Sequence, residues 1–331
     1  MSIPAQNQQY ENFIIRYKQN IEGVPEYQPD ERFQIINDLF GVLYVPIQEI
    51  PELALNSYSY SSIPRCYTYM DTGALSASGV TRLHGHPYLK LKGSGTLVAI
   101  IDSGIDYLHP AFHRGMTSKI LSIWDQELEG GMTEKIPFGR EFNRGEIEQA
   151  LSAENPWEVV PSMDKSGHGT EVAATAAGYS IEKEGFSGAA PEAELVVVKL
   201  KQAERYLRDL YLLPQEADIY QEDDIMLAIA YVLRVAAENQ KPLSICIGLG
   251  SSMGAHQGEG PLNEYINSIA AFSQNAVSVP AGNEGTARHH YMKTLSAANM
   301  KDIIELRVGE TESTRGFMLE FWGDSPNFYS M

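Results

Sequence analysis

The chain has few cysteines: its 331 residues include only Cys66 and Cys246, and a disulfide-stapled secreted domain would carry more. Neither cysteine has the close histidine or cysteine spacing of a zinc site, and Cys246, which lies in an apolar run, is predicted to be buried. The first residues, MSIPAQNQQYENF, lack the basic start and apolar stretch of a signal peptide. No apolar run approaches the roughly 20 residues of a transmembrane helix, so the sequence predicts a soluble protein.

Positive charge is also scarce, since 25 lysines and arginines stand against 43 aspartates and glutamates, for a net charge of -18. Such an acidic chain repels nucleic acid and anionic membranes, so we predict neither as a partner. No G-x-G-x-x-G turn follows a first strand, which argues against a dinucleotide-binding domain. Nothing else in the sequence indicates a cofactor.

Four short apolar runs are spaced along the middle of the chain, at 97–101, 195–200, 243–249 and 276–279. Continuous runs of this kind are typical of strands buried on both faces of a parallel sheet. Helical patterns lie between them, one beginning at the acidic residue Glu222 and another, with a proline in its first turn, predicted over 261–274. The alternation predicts an α/β fold with a mainly parallel sheet, in which sites gather at the carboxyl ends of strands.

The N-terminal part of the chain has a different character. Residues 1–65 are predicted to form a small α+β unit, with a turn at Asn37-Asp38 and a short helical or irregular piece at 47–55. Its predicted strands cover 13–17, 33–36 and 40–45. Residues 66–95 form a connector rich in serine, tyrosine, glycine and proline, a composition typical of exposed, cleavable segments.

The α/β domain is predicted over residues 96–300, and the pattern changes again after it. Partial alternation at 304–308 and 318–322 predicts antiparallel strands. These strands would begin a β-rich insertion over 301–331.

An acidic motif, Ile101-Asp102-Ser103-Gly104, ends the first apolar run. An aspartate at the end of a buried strand is held rigidly, which suits a group that orients an imidazole and stabilises its charged form. By itself the pattern is weak, because capping and turn aspartates are common at such positions.

A histidine motif, Gly167-His168-Gly169-Thr170, precedes a small-residue helix predicted over 171–177. The glycines allow close backbone approach around the ring. A lone histidine is more often structural, but H-G-T-x-V-A after an Asp-Ser-Gly strand end is far more specific.

A third motif, Ala281-Gly282-Asn283-Glu284-Gly285, follows the last apolar run. An asparagine amide at a strand end can donate a hydrogen bond to a developing oxyanion. The alternative is a turn asparagine, which the two glycines also permit.

Taken together and in this order, the three motifs resemble the subtilisin-like family of serine endopeptidases, family S8, over about residues 96–290. The segment G-A-A-P-E-A at 188–193 resembles the family's G-x-A-P-x-A. The resemblance implies a subtilisin-like sheet with helices on both faces. It also implies that Asp102 orients His168, that His168 is general base and acid for a serine, and that the Asn283 amide helps to hold the oxyanion. Calcium is common in the family, but no loop here can be assigned to it.

The segment Gly248-Leu249-Gly250 stands where the family has S-L-G, a wall of the substrate groove. Glycine in place of serine either alters substrate contacts near the primary pocket or is silent, because such an edge contact is mostly backbone. Residues 12–60 resemble the family's propeptide, which assists folding and blocks the groove. This implies a processing cut in the connector, between Pro64 and Ser76.

A narrower resemblance is to clostridial subtilisin-like proteases, which include germination proteases of spores. It rests on the polar start, on Gly254-Ala255-His256 and on His289-His290. Members of this branch carry a β-rich insertion between the asparagine and the serine. The histidine pair has no placed third ligand, so a loop pair is a better interpretation than a metal site, and no metal is predicted.

The family's nucleophile lies in G-T-S-x-A, and this sequence contains no such motif; Ser313 and Ser330 have no matching context. The chain is therefore interpreted either as a fragment of a longer protease or as an inactive relative. Intact Asp102 and His168 favour the fragment, because a decayed site has no chemical need for both. The strands predicted near residue 331 also favour the fragment interpretation, because a sheet interrupted there would have unpaired edges.

We therefore predict a serine-type endopeptidase as the complete protein, with this chain alone inactive. Its partners would be a peptide or protein substrate and its own propeptide in the groove. The alternative is a non-catalytic protein on the same fold, whose groove binds an extended peptide by strand addition for signalling. The predicted location is cytoplasmic, spore-associated, or outside the cell by a route without a signal peptide.

Overall fold

The computed structural model describes most of the chain. The described residues are 9–17, 32–50, 58–69, 80, 84, 91–130, 133, 136–181, 183, 185–282, 289–295, 301–307 and 316–323. The strands are β1 (Tyr10–Arg16), β2 (Phe33–Ile35), β3 (Phe40–Pro46), β4 (Cys66–Tyr69), β5 (Leu97–Asp102), β6 (His113–Arg114), β7 (Thr117–Ser118), β8 (Ile120–Asp125), β9 (Arg140–Asn143), β10 (Glu194–Lys199), β11 (Tyr220–Gln221), β12 (Leu243–Ile247), β13 (Leu249–Gly250) and β14 (Asn275–Ser278). The α-helices are α1 (Arg144–Ser152), α2 (Pro156–Val159), α3 (His168–Ala177), α4 (Arg205–Leu210), α5 (Glu222–Glu238) and α6 (Pro261–Ala270).

A six-stranded sheet in the order β14-β12-β5-β10-β8-β9 forms the centre of the molecule. All neighbouring pairs are parallel except β8 and β9, which are antiparallel. The four predicted apolar runs contribute β5, β10, β12 and β14 to this sheet. The prediction of an α/β fold with a mainly parallel sheet is confirmed.

Helices cover both faces of this sheet, as predicted. Alternate residues of β5 face opposite sides because side chains alternate along a strand. Leu97, Ala99 and Ile101 lie in the core that includes residues of α5 and α6. Val98 and Ile100 lie in the core that includes residues of α1 and α3. The central strand is therefore buried on both sides, which explains its unbroken apolar sequence.

The N-terminal unit contains a three-stranded antiparallel sheet in the order β1-β3-β2. Its strands match the three predicted from the sequence, and the turn between β2 and β3 contains Asn37. The Asn37 side chain accepts hydrogen bonds from the backbone N–H of Leu39 and Phe40, each at 2.8 Å. Phe40 and Tyr44 join the core that contains α5, so this unit packs on the α5 side of the large sheet.

A third sheet of three short strands, in the order β11-β4-β13, joins the connector to the α/β domain. Strand β4 lies between the other two and is antiparallel to both. The third predicted run, 243–249, therefore divides at Gly248. Its first part stays in the large sheet, and Leu249 turns to pair with β4.

Several boundaries differ from the predictions. Helix α3 begins at His168 instead of 171, directly after Gly167, whose φ of 81° is left-handed and stops any helix from extending further back. Helix α6 ends at Ala270 instead of 274, and Gln274 has a φ of 78°. Strands β8 and β9 were not among the predicted elements.

The two strands predicted near the C-terminus do not appear in the residues described there. Neither 301–307 nor 316–323 has regular secondary structure. A strand requires a hydrogen-bonded neighbour, and the second stretch is instead held through side chains: the Glu320 carboxylate accepts hydrogen bonds from the Gly254 N–H and from the Tyr60 hydroxyl. Within the described ranges, no helix combines the length and apolar character needed to cross a bilayer.

Candidate active site

The central feature of the site is a hydrogen-bonded pair formed by Asp102 and His168. Asp102 is the last residue of β5, and His168 is the first residue of α3. The Nδ1 atom of His168 lies 2.7 Å from Oδ1 of Asp102, with 14% of the histidine side chain and 0% of the aspartate side chain exposed. Because a carboxylate only accepts hydrogen bonds, Nδ1 carries the proton in this contact.

A network around Asp164 fixes the start of α3 against the end of β5. One Asp164 oxygen accepts from the Ser103 hydroxyl at 2.9 Å and from the Gly167 N–H at 3.0 Å. Its other oxygen accepts from the Thr170 N–H at 2.9 Å and from the Thr170 hydroxyl at 2.6 Å. Burial raises the pKa of Asp164, but these hydrogen bonds outweigh it and hold the pKa below the usual value.

Close backbone packing also holds the start of α3 against the loop that follows β5. A Cβ atom on Gly169 would lie 2.3 Å from the carbonyl oxygen of Gly104, so α3 can approach this loop only with glycine at 169. Ser103 also accepts from the Gly169 N–H, at 2.9 Å, and its own N–H donates to Asp102 at 2.7 Å. Neither Asp164 nor Ser103 was predicted as a site residue, although Ser103 lies inside the acidic motif and Asp164 lies just before the histidine motif.

Gly248 lies against the Asp102–His168 pair. A Cβ atom on Gly248 would lie 2.2 Å from Oδ2 of Asp102 and 3.2 Å from Cε1 of His168. Oδ2 is buried and has no hydrogen-bond partner within the described part of the chain. Glycine at position 248 therefore leaves room for the Asp102 carboxylate.

Leu249 and Gly250 form the edge that was predicted to line a peptide groove, and strand β4 occupies that edge. Tyr69 pairs with Leu249, and Thr68 pairs with Gly250. On its other side, β4 pairs with β11, where Cys66 is opposite Gln221. A segment of the connector thus lies between two strands of the α/β domain as an added antiparallel strand.

A buried ion pair that the sequence analysis missed lies next to β4. Arg65 Nε is 3.7 Å from Oε2 of Glu222, with 5% and 1% of the two side chains exposed. The Glu222 carboxylate also accepts from the N–H groups of Arg65 and Leu262, each at 3.2 Å. Burial raises the pKa of Glu222, and the guanidinium only partly opposes the shift. No local motif joins positions 65 and 222, so only the fold could reveal the pair.

The remaining predictions concern Asn283 and the histidine pair His289-His290. Asn283 lies outside the described residues. His290 stacks on His256 with ring centroids 4.8 Å apart. In the described part of the chain, no group of three or more histidine, cysteine, aspartate or glutamate side chains is placed to hold a metal ion.

Both cysteines are free, and both are poor nucleophiles at neutral pH. Burial raises the pKa of the Cys66 thiol to about 12 and that of Cys246 to about 11. Cys246 is half-buried, not fully buried as its apolar run suggested. The reason is that burial alternates along β12, whose second face is less completely covered.

Two proteases match part of this chain. An extracellular protease of Xanthomonas campestris pv. campestris is 32% identical over 111 residues, which are 34% of this chain and 18% of the relative. The subtilisin-like protease SBT1.9 of Arabidopsis thaliana is 31% identical over 126 residues, which are 32% of this chain and 16% of the relative. The chain thus spans less than a fifth of the length of either protein.

A solved structure, the Clostridium perfringens CspB protease, is similar over 65% of this chain and 40% of its own chain, with a TM-score of 0.52 and 28% identity. The family model described as subtilase family matches residues 93–298. That range includes Asp102, His168 and Gly248. The chain belongs to the subtilase family.

Proposed function

We propose that the complete protein is a serine endopeptidase in which His168 is the general base and Asp102 orients it. The observation that carries the proposal is the 2.7 Å contact between His168 Nδ1 and Asp102 Oδ1 at the carboxyl end of β5, in a chain of the subtilase family. The nucleophilic serine would come from a segment outside these 331 residues, because the sequence has no G-T-S-x-A motif.

The proposed reaction begins when Nε2 of His168 takes the proton from the serine hydroxyl. The serine oxygen bonds to the substrate carbonyl carbon, and the carbonyl oxygen becomes an oxyanion, to which the Asn283 amide would donate. His168 then gives its proton to the leaving amine as the peptide C–N bond breaks. Water, activated in the same way, hydrolyses the acyl-enzyme. Asp102 stabilises the imidazolium through each transfer without taking the proton.

The N-terminal unit is proposed to be a propeptide whose β4 segment blocks the groove. Because β4 is antiparallel to β13 and Tyr69 pairs with Leu249, the C-terminal end of β4 points toward Gly248, which lies against Asp102 and His168. We therefore expect processing at one of the two peptide bonds that flank Met70. This narrows the interval between Pro64 and Ser76 that the sequence implied.

N-terminal sequencing of the mature protein tests the processing site. We expect a new N-terminus at Met70 or Asp71. Active enzyme that retains Ser2 would contradict the propeptide proposal, and a cut far downstream of Asp71 would contradict the assigned register.

Replacement of His168 by alanine in the complete protein tests the catalytic proposal. Loss of the base should reduce peptide cleavage by about 10⁴-fold or more and leave the connector uncut. The measurement is kcat/KM on an unstructured peptide substrate. The control is His109→Gln, since His109 is exposed and lies in a turn. Cleavage retained by His168→Ala would reject the assignment.

A non-catalytic peptide-binding protein remains the second candidate, because this sequence lacks the nucleophile motif. Its groove would hold an extended segment as β4 is held. A fluorophosphonate probe on the protein from its source separates the two. Labelling of a serine that His168→Ala abolishes supports the enzyme, whereas an unlabelled protein that still binds peptide supports the alternative.

The similarity to the CspB protease supports the clostridial branch as the origin of this chain. On that proposal we expect a protein substrate and an enzyme that is present in spores. Detection in spore extracts with an antibody against the chain would test it; exclusive recovery from vegetative culture medium would speak against it.

A further inference from the structure

Arg65 fills a slot made by two glycines. A Cβ atom on Gly254 would lie 2.4 Å from Nη1 of Arg65, and one on Gly260 would lie 2.1 Å from Nη2. Both glycines have left-handed backbones, with φ of 90° and 131°. Side chains at these positions would close the slot, so the space that holds the guanidinium depends on their absence.

A buried carboxylate, that of Glu222, forms the floor of the slot. Glu222 is fully buried, and its two oxygens already accept N–H groups from Leu262 and Arg65. The Tyr60 ring lies 5.7 Å from the guanidinium carbon and adds a cation–π contact. A buried carboxylate of this kind requires a cation, because an unpaired charge in such a site is strongly unfavourable.

The slot is continuous with the peptide groove. Arg65 directly precedes β4, and its carbonyl oxygen accepts from the Glu222 N–H at 2.8 Å. This bond extends the β4–β11 pairing by one residue upstream. Any extended peptide that binds in the register of β4 therefore places one side chain at the slot.

We infer that the slot is a specificity subsite that selects an arginine in the protein substrate, at the position that Arg65 occupies upstream of the groove segment. This inference rests on the proposed function, in which β4 leaves the groove and a substrate replaces it. Departure of the N-terminal unit removes Arg65 and leaves Glu222 without its cation. A substrate arginine restores the ion pair and fills the space between the glycines.

Lysine is a poor substitute at this position. The Arg65 guanidinium lies against the backbones of Gly254 and Gly260, and a planar guanidinium suits such close contacts better than a compact, strongly hydrated ammonium. Arginine is also the more weakly hydrated cation, so it loses less on entering a buried site. The subsite should therefore separate arginine from lysine as well as from neutral residues.

Peptide kinetics with the complete protein test the inference. The substrate is a fluorogenic peptide with the sequence of residues 63–72 and serine in place of Cys66, and its variants carry methionine, lysine or glutamate in place of Arg65. We expect kcat/KM for the arginine peptide to exceed that for the methionine peptide by roughly 10- to 100-fold, with lysine between them. In Glu222→Gln the arginine-to-methionine ratio should fall towards one. The control Glu264→Gln, an exposed carboxylate paired with Arg16, should keep the ratio.

The outcomes separate the two proposals. If no peptide is cleaved, the proposed function fails, and the substrate subsite fails with it. If all peptides are cleaved equally well, the endopeptidase stands and the subsite is overturned, which would make Arg65 an attachment point of the N-terminal unit only.

A second measurement needs no activity and uses the 331-residue chain. Arg65→Met should lower the thermal unfolding midpoint by about 3 °C or more, and Arg65→Lys should recover less than half of that loss. The midpoint is followed by circular dichroism. A lysine variant as stable as the native chain would overturn the selection of arginine over lysine.

Discussion

Buried carboxylates occur in two regions of this molecule, and they are stabilised in different ways. At the end of β5, Asp102 is held by its neighbour Ser103 and by His168, all within the α/β domain. At the start of α5, three consecutive acidic residues are buried, and their partners come from distant segments. Glu222 pairs with Arg65, Asp223 accepts from Asn12, and Asp224 pairs with Lys201.

The two regions differ in whether their contacts depend on the N-terminal unit. Asp102, Ser103 and His168 all belong to the α/β domain, so we expect release of the N-terminal unit to leave the hydrogen bonds among them intact. Two of the three partners at the start of α5, Arg65 and Asn12, belong to the N-terminal part of the chain. This junction therefore contributes buried polar contacts that attach the N-terminal unit to the α/β domain.

Lys201→Met should cause the largest loss of stability among the variants of this comparison. Lys201 Nζ lies 2.9 Å from Asp224 and 3.1 Å from Glu204, and its loss leaves the Asp224 carboxylate buried without a cation. We expect a loss of about 3–5 kcal/mol in the free energy of unfolding, measured with urea. The control is Arg205→Met, since the Arg205–Asp209 pair is exposed and should change stability by less than about 1 kcal/mol.

Recovery in a double variant would sharpen this result. Adding Asp224→Asn to Lys201→Met removes the uncompensated charge and should restore part of the stability. If the double variant is no more stable than Lys201→Met alone, the unpaired carboxylate was not the cause.

Asp164→Asn tests the region around the Asp102–His168 pair, and its expected effect on stability is smaller. The amide cannot accept all of the donors from Ser103, Gly167 and Thr170, so we expect a loss of about 1.5–3 kcal/mol at pH 7. The loss should depend on pH. Because the folded-state pKa of Asp164 is lowered, its contribution is present above about pH 4 and is lost as the pH falls through the folded-state value.

The measurement is urea unfolding of both proteins between pH 7 and pH 3. The stability gap between native protein and variant should narrow at the acidic end. Asp209→Asn, at an exposed carboxylate, should show a small gap throughout. A gap for Asp164→Asn that stays constant with pH would contradict the role given to the ionised carboxylate.

Gly248→Ala should have the smallest of these effects on stability, about 1–3 kcal/mol, because the new methyl group displaces the Asp102 carboxylate. The same change should alter the hydrogen bond to His168, which the NMR signal of the ring Nδ1 proton reports. An unchanged signal together with unchanged stability would show that the site tolerates a side chain at 248.

Prediction from the sequence succeeded where the information is local. The run at 97–101 and the motifs around Asp102 and His168 each lie within a few residues, and the parallel sheet follows from four such runs. It failed at Cys246, whose burial depends on how helices cover one face of β12. It also failed at 304–308 and 318–322, where alternation alone did not produce strands in the residues described there.

The sequence by itself determined the α/β architecture, the family resemblance and the candidate aspartate and histidine, because hydrophobic periodicity and short motifs need no knowledge of distant residues. The tertiary structure decided which distant side chains meet. It brought Gly248 to the Asp102 carboxylate, β4 to the groove edge and Arg65 to Glu222. Each of these contacts joins residues far apart in the sequence, and no local sequence pattern predicts which distant residues meet.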